Sequence, residues 1–350
     1  MTEKTLKIRD LTIKNRFAVP PMVCFDRAGD DGFVTDWFVG HYRELAQGGA
    51  GLIIVEATAI TARSRLHGTE LGLWDDGQID GFRRITDAIH AGGAKAFIQL
   101  VHAGGNGIDT HADAPSTMPY RDGITGVEMT RDAIARTCAD FAAAAVRAKA
   151  AGFDGVELHG CHGYLLSCFF SPLRNVRTDE YGADRALAAK RALTAVREAC
   201  GSDFIVGIRL AAFEPTLAYG LANAKAIAGL TDFLDISYGV DSVTEVPKDF
   251  PCSGAVYGAS VIKRALPDMP VFGVHHINSR EDAENALAAG IDMVDVGRAS
   301  LVDPSFAAHA LAGERCGRCL DCKNYCRWNP GTMADGNAKC PGRALFLSGE

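Results

Sequence analysis

Three side chains in one short run could act on a single atom. The run His159-Gly-Cys-His162-Gly-Tyr164 sets two imidazoles three residues apart beside a phenol. Two ring donors aimed at a carbonyl oxygen stabilise charge that builds there, and a neighbouring phenol can supply a proton. The spacing leaves two other readings open: a metal-binding pair, and histidines that merely hold a loop. A second run is rich in sulfur. Cys316, Cys319, Cys322 and Cys326 follow one another at C-x2-C-x2-C-x3-C spacing, and Cys340 comes after thirteen intervening residues. Thiolates so spaced suit a [4Fe–4S] cluster or a zinc ion.

The chain of 350 residues alternates short β-branched runs with longer Ala-rich amphipathic ones. Strands are expected at Phe17–Pro21, Gly51–Val55, Lys95–Leu100, Gly155–Leu158, Phe204–Leu210, Phe233–Ser237, Pro270–Phe272 and Met293–Val296. Each is brief and apolar, as a strand covered on both faces should be, and a helical pattern follows each. Eight such units predict an α/β chain folded as a (β/α)8 TIM barrel over residues 1–312, with a short Cys-rich metal-binding extension over 313–350. An open doubly wound sheet would need a G-x-G-x-x-G turn after its first strand; here Pro20-Pro21-Met22-Val23-Cys24 follows instead. A barrel gathers its site at the C-terminal strand ends. Those ends carry Pro21 and Met22, Glu56 and Ala57, Gln99 and His102, His159 and His162, Arg209, Ser237, Gly273 and His275, and Gly297 and Arg298.

Composition removes several classes. A formal net charge of −7 with no basic tract argues against nucleic-acid binding. No run approaches 18 apolar residues, so no membrane span is expected. The charged start MTEKTLKIRD shows no apolar leader, so the expectation is a reducing, cytoplasmic setting, where metal binding outranks disulfides.

The run His159–Tyr164, followed by Phe170-Ser-Pro-Leu-Arg-Asn-Val-Arg-Thr-Asp-Glu-Tyr-Gly182, resembles the Old Yellow Enzyme (NADH:flavin oxidoreductase) family. Pro21-Met22, Ile53–Ala57, Ile98–Gly104, Arg209 and Val296–Ala299 extend the likeness over roughly residues 5–312. The resemblance implies a barrel that holds FMN without a covalent bond. The backbone around Pro21, Met22 and Ala57 would lie along the isoalloxazine. Val23 would stand where relatives carry a residue that tunes the flavin. Gln99 would bond the pyrimidine edge, and Arg209 would sit near N1 and O2. Gly273, Val274, His275, Gly297 and Arg298 would hold the phosphate, which suits amide nests and a guanidinium fork.

The implied activity is reduction of an activated C=C bond in an enone- or enoate-type small molecule, with NAD(P)H as a donor. His159 and His162 would bind the carbonyl oxygen, Tyr164 would protonate the α-carbon, and Phe25 would line the substrate pocket. Alternatives are an amine dehydrogenase or demethylase and a flavin electron carrier serving a protein partner. Longer family members carry a [4Fe–4S] cluster just after the barrel. That implies ligation by Cys319, Cys322, Cys326 and Cys340, with Cys316 as an alternative ligand and zinc as the alternative metal. A separate electron-donor protein and a homo-oligomeric state fit the same reading. Two departures stand out: Gly105 follows Gly104 where relatives often have Arg, and Ala183-Asp184-Arg185 replaces the usual run after Gly182.

Overall fold

The computed structural model describes residues 1–349 apart from 110, 122, 323–325 and 327–339. Eight parallel strands form a closed barrel: β1 (Phe17–Val19), β2 (Leu52–Ala59), β3 (Lys95–Val101), β4 (Gly155–Gly160), β5 (Ile205–Ala211), β6 (Phe233–Ser237), β7 (Val271–Val274) and β8 (Met293–Asp295). They pair in chain order, and β8 closes on β1 through Val294↔Phe17 and Asp295↔Ala18. The outer ring is α1 (Asp36–Gln47), α2 (Ile79–Ala91), α3 (Arg131–Ala150), α4 (Leu187–Cys200), α5 (Leu217–Ile227), α6 (Gly254–Ala265), α7 (Arg280–Ala288) and α8 (Phe306–Ala312). The expected barrel is thus the observed one. Among the described residues, no helix is long and apolar enough to cross a membrane.

Two local differences concern the mouth. Strand β2 runs on to Ala59, and its register with β3 shifts between Val55 and Thr58. Such a bulge re-aims side chains beside functional sites. Here Glu56 accepts the Cys24 N–H at 2.8 Å and the Tyr42 O–H at 3.0 Å. Helix α4 opens after Asp184, whose side chain accepts the Ala186 N–H at 3.1 Å and pairs with Lys190 at 2.7 Å. The unusual Ala-Asp-Arg run is therefore a working helix start.

The barrel interior is layered because side chains two apart on a strand share a face. The lower layer is apolar and includes Leu52, Ile54, Phe97, Ile205, Phe233, Phe272 and Met293. A hairpin of Leu6–Ile8 against Leu11–Ile13 packs into the same cluster and plugs the floor. Phe233 stacks between Phe97 and Phe272, at centroid distances of 5.3 and 4.8 Å. A Cβ on Gly207 would meet its ring at 2.0 Å, so glycine is required there. Nearer the mouth the barrel interior turns polar, with Gln99, Glu157, Arg209, Asp235 and Asp295 all buried.

The described part of the C-terminal segment docks on the barrel. Arg343, in the helix Pro341–Ser348, pairs with Glu44 of α1 at 2.8 Å. The Gly317 N–H donates to Asp303 at 3.0 Å.

Because Phe233 fills the lower layer between two rings, Phe233→Ala should remove about 3–5 kcal/mol of stability. Urea unfolding would measure the loss. A change below about 1 kcal/mol, the range of tolerated core swaps, would mean that the layer does not carry the floor.

Candidate active site

Strand β4 ends at the chemistry. His159 lies opposite Arg209 of β5 in the parallel register, and Arg209 lies opposite Asp235 of β6. After the strand the chain turns sharply. His162 and Gly163 both take left-handed backbone angles, with φ of 58° and 76°. A non-glycine residue there is uncommon and marks an over-determined loop. The loop is indeed held on several sides. The Asn106 side chain donates to the Gly163 carbonyl at 2.7 Å, and the Leu165 N–H donates to the His102 carbonyl at 3.0 Å. Tyr164 then precedes a short helix, Leu165–Phe170.

This turn brings the three expected rings together. The His159 ring meets the His162 ring at 5.2 Å and the Tyr164 ring at 4.8 Å, both edge-on. His162 Nε2 lies 2.8 Å from Ser237 Oγ, so the end of β6 orients that imidazole. Burial, then the charge of Arg209, push the His162 imidazole down to about 3. Burial, His162 and Arg209 hold His159 well below the ordinary range. Both rings are thus neutral at physiological pH, each with one N–H to donate. Burial pushes the Tyr164 phenol up to about 12, so it keeps its proton.

The histidine run has a third metal-ligand candidate. The ligand atoms of His159, Cys161 and His162 lie within 4.8 Å of one another. Arg209 weighs against a metal there, because its positive charge, which adds to burial in keeping protons off both rings, also disfavours a bound cation. Two neutral donors beside a phenol and a guanidinium instead suit an oxygen on which negative charge develops.

Beside the rings is a cleft of about 220 Å³. Of the residues expected to hold a cofactor, Pro21, Met22, Arg209, Val274, His275, Gly297 and Arg298 line it together with His162. Val23, Ala57, Gln99 and Gly273 lie off this lining. The Gln99 side chain turns inward, donating to Glu157 Oε1 at 2.7 Å. Phe25 stands against His67 at 4.5 Å and is 38% exposed. Arg209 Nε is buried and lacks a hydrogen-bond acceptor, although it lies 2.9 Å from Asp235 Oδ2 in off-line ion-pair contact. The cleft therefore offers the Arg209 side chain, a second guanidinium at Arg298 and an apolar wall at Pro21 and Met22. Those are the contacts an aromatic, phosphate-bearing group such as FMN takes.

Four cysteines gather behind the cleft. Cys319, Cys322, Cys326 and Cys340 line one small cavity of about 40 Å³ with Arg298, Leu301 and Val302. Cys316 is not among them. Its sulfur lies 3.8 Å from the Phe306 and Glu314 carbonyls, in a separate groove with Arg280 and Arg315. Cys319 and Arg298 line both the cysteine cavity and the main cleft.

The rest of the site was less legible. Tyr120, on the long loop after β3, lies over Gly105, where an added Cβ would sit 2.5 Å from its ring. That is a steric reason for glycine where relatives often have Arg. The buried acids Glu157, Asp235 and Asp295 are strand residues that no motif singles out. Their signal was an acid at an inward position of three otherwise apolar runs.

Comparison with known proteins gives a consistent result. The sequence pattern of the NADH:flavin oxidoreductase / NADH oxidase family matches residues 4–315. An NADPH dehydrogenase from Listeria welshimeri is 35% identical over 320 residues, covering 87% of this chain and 92% of that protein. The structure of 2-naphthoyl-CoA reductase in complex with 2-naphthoyl-CoA superposes with a TM-score of 0.82 at 25% identity, over 91% of this chain. This chain spans about half of that longer one, at 54%. Morphinone reductase superposes with a TM-score of 0.74 at 25% identity, over 90% of each chain.

The neutrality of the two imidazoles can be checked directly. In nitrogen-15 NMR of histidine-labelled protein, the His159 and His162 ring signals should not titrate between pH 5 and 8. An inflection near the ordinary value of 6.5 for either ring would show that it titrates as a solvated imidazole and would overturn the neutral-donor reading.

Proposed function

The chain belongs to the NADH:flavin oxidoreductase / NADH oxidase family, and from that membership we propose that this NAD(P)H-dependent flavin oxidoreductase reduces the C=C bond of an α,β-unsaturated carbonyl compound. The observation that carries the reading is the convergence of two neutral imidazoles and a protonated phenol beside Arg209. FMN, the flavin of this family, would supply the hydride when bound, taking it from NAD(P)H and giving it to the substrate's β-carbon.

The protein's own residues would do the rest. His159 and His162 donate to the carbonyl oxygen and draw electron density away from the C=C bond. Their neutrality matters, because a neutral donor stabilises the developing oxyanion without surrendering a full proton to it. Tyr164 delivers its phenolic proton to the α-carbon, which completes addition of a hydride and a proton across the bond. A proton from solvent then restores the phenol. Arg209 is expected to hold the flavin pyrimidine edge, and Arg298, Gly297, His275, Val274 and Gly273 its phosphate. Pro21, Met22, Val23, Ala57 and Gln99 remain the proposed contacts along the ring system, and Phe25 a wall of the substrate pocket.

In the same reading, residues 1–312 form the catalytic barrel and 313–350 a metal-holding extension. Cys319, Cys322, Cys326 and Cys340 would be the ligands, since they share one cavity. The group they would hold is a [4Fe–4S] cluster, with zinc as the alternative that thiolates at this spacing also suit. The cluster would supply one-electron transfer next to the cleft that Cys319 also lines.

Two measurements test these proposals. Tyr164→Phe should slow reduction of an enone or enoate about 10²-fold or more while leaving flavin binding intact. If no enone or enoate reoxidises the reduced wild-type protein, the substrate class is wrong. Protein purified without oxygen should contain about four irons per chain, the content of one such cluster. Zinc in their place would make the extension structural.

A further inference from the structure

The chemistry above leaves a buried acidic group inside the barrel unused. Glu157 of β4, Asp235 of β6 and Asp295 of β8 reach a single interior layer around Arg209 of β5, with exposures of 0%, 0% and 1%. Glu157 and Asp295 each come within hydrogen-bonding reach of Asp235. Gln99 satisfies Glu157 Oε1, and Arg209 contacts Asp235. Glu157 Oε2 and both oxygens of Asp235 and of Asp295 are left buried with no donor. Asp295 also lines the cleft with Arg209.

Three ionised carboxylates around one guanidinium would leave two uncompensated negative charges away from water. Buried ions persist when they are paired, and otherwise neutralise. Two carboxylates cannot hydrogen-bond each other, whereas a protonated carboxyl is a donor. Two protons would therefore give four of the five orphaned oxygens a partner and bring the group to neutrality with Arg209. Burial, reinforced by the charge of Asp235, holds the Glu157 and Asp295 carboxyls well above the ordinary range, against the pull of Arg209.

We propose that Glu157 and Asp295 each hold a proton at neutral pH, hydrogen-bonded to the Asp235 carboxylate, as a charge-neutralising shell that leaves Arg209 free to face the bound flavin. The part concerning flavin rests on the function proposed above; the protonation itself does not. Around the shell, β3 contributes uncharged Gln99. Cys161, pushed up by burial, faces it as a neutral thiol. His159, His162 and His275 face Arg209, and burial keeps each of them neutral. The shell places a neutral hydrogen-bonded acid, rather than a negative charge, beside the position where reduced flavin carries its own. Glu157, Asp235 and Asp295 are positioning residues in this scheme, acting through Arg209.

The test uses Asp295→Asn, an uncharged isostere, with Glu157→Gln as the second variant should the first fail to fold. Infrared spectra of flavin-free protein at pH 7 should show a carboxylic-acid C=O band that weakens in the folded variant. In flavin-loaded protein at pH 7, the reduction equilibrium of the variant against a reference dye should stay within about twofold of wild type, because a neutral group has replaced a neutral group. Absence of the infrared band from wild type, or an unchanged band in a folded variant, overturns the proposal. So does a tenfold or greater shift of the variant's equilibrium toward reduced flavin, the response to losing a real negative charge. If the protein takes up no flavin at all, the functional reading fails while the infrared result still decides the protonation.

Discussion

The contact between Arg209 and Asp235, at 2.9 Å inside the barrel, is the constraint on which the site depends. A guanidinium at 5% exposure needs a counter-charge, and the β5–β6 register sets Asp235 directly opposite it. The same register runs on to His159 in β4. One row of paired backbone thus sets an acid, a cation and an imidazole side by side. The field of Arg209 then does two things at once. It helps keep His159 and His162 neutral, and it offers a fixed positive charge where an anion would gain from one.

The layering of the barrel explains how so much polarity is tolerated. The lower layer and the Leu and Ile side chains that the hairpin sends into it carry the packing. The polar layer above is reached only along strands that the lower layer has already fixed. Buried polar groups are costly when loosely held and specific when fully partnered. The left-handed turn at His162 and Gly163 is affordable for the same reason, since Asn106, Ser237 and the His102 carbonyl hold the segment in place.

The C-terminal segment extends this logic outward. Arg298 and Cys319 each line two cavities, one at the barrel mouth and one among the cysteines. A metal centre held there would be a neighbour of the cleft. Arg343, reaching back to Glu44 of α1, helps fasten the segment to the ring of helices.

The sequence by itself determined the barrel, the histidine–tyrosine run and the cysteine cluster. Each depends on local spacing: apolar runs of strand length, a turn of six residues, thiols two and three apart. It could not decide which cysteine stands apart, because Cys316 and Cys326 have similar spacings and only the docking of 316 against Phe306 and Glu314 separates them. Nor could it show that Gln99 turns inward to Glu157, or that Ser237 holds His162. Those contacts join residues 58 and 75 positions apart, across strands whose pairing is a property of the closed barrel. The acids Glu157, Asp235 and Asp295 were visible as letters. That they surround one arginine, out of reach of water, was decided only when the eight strands closed.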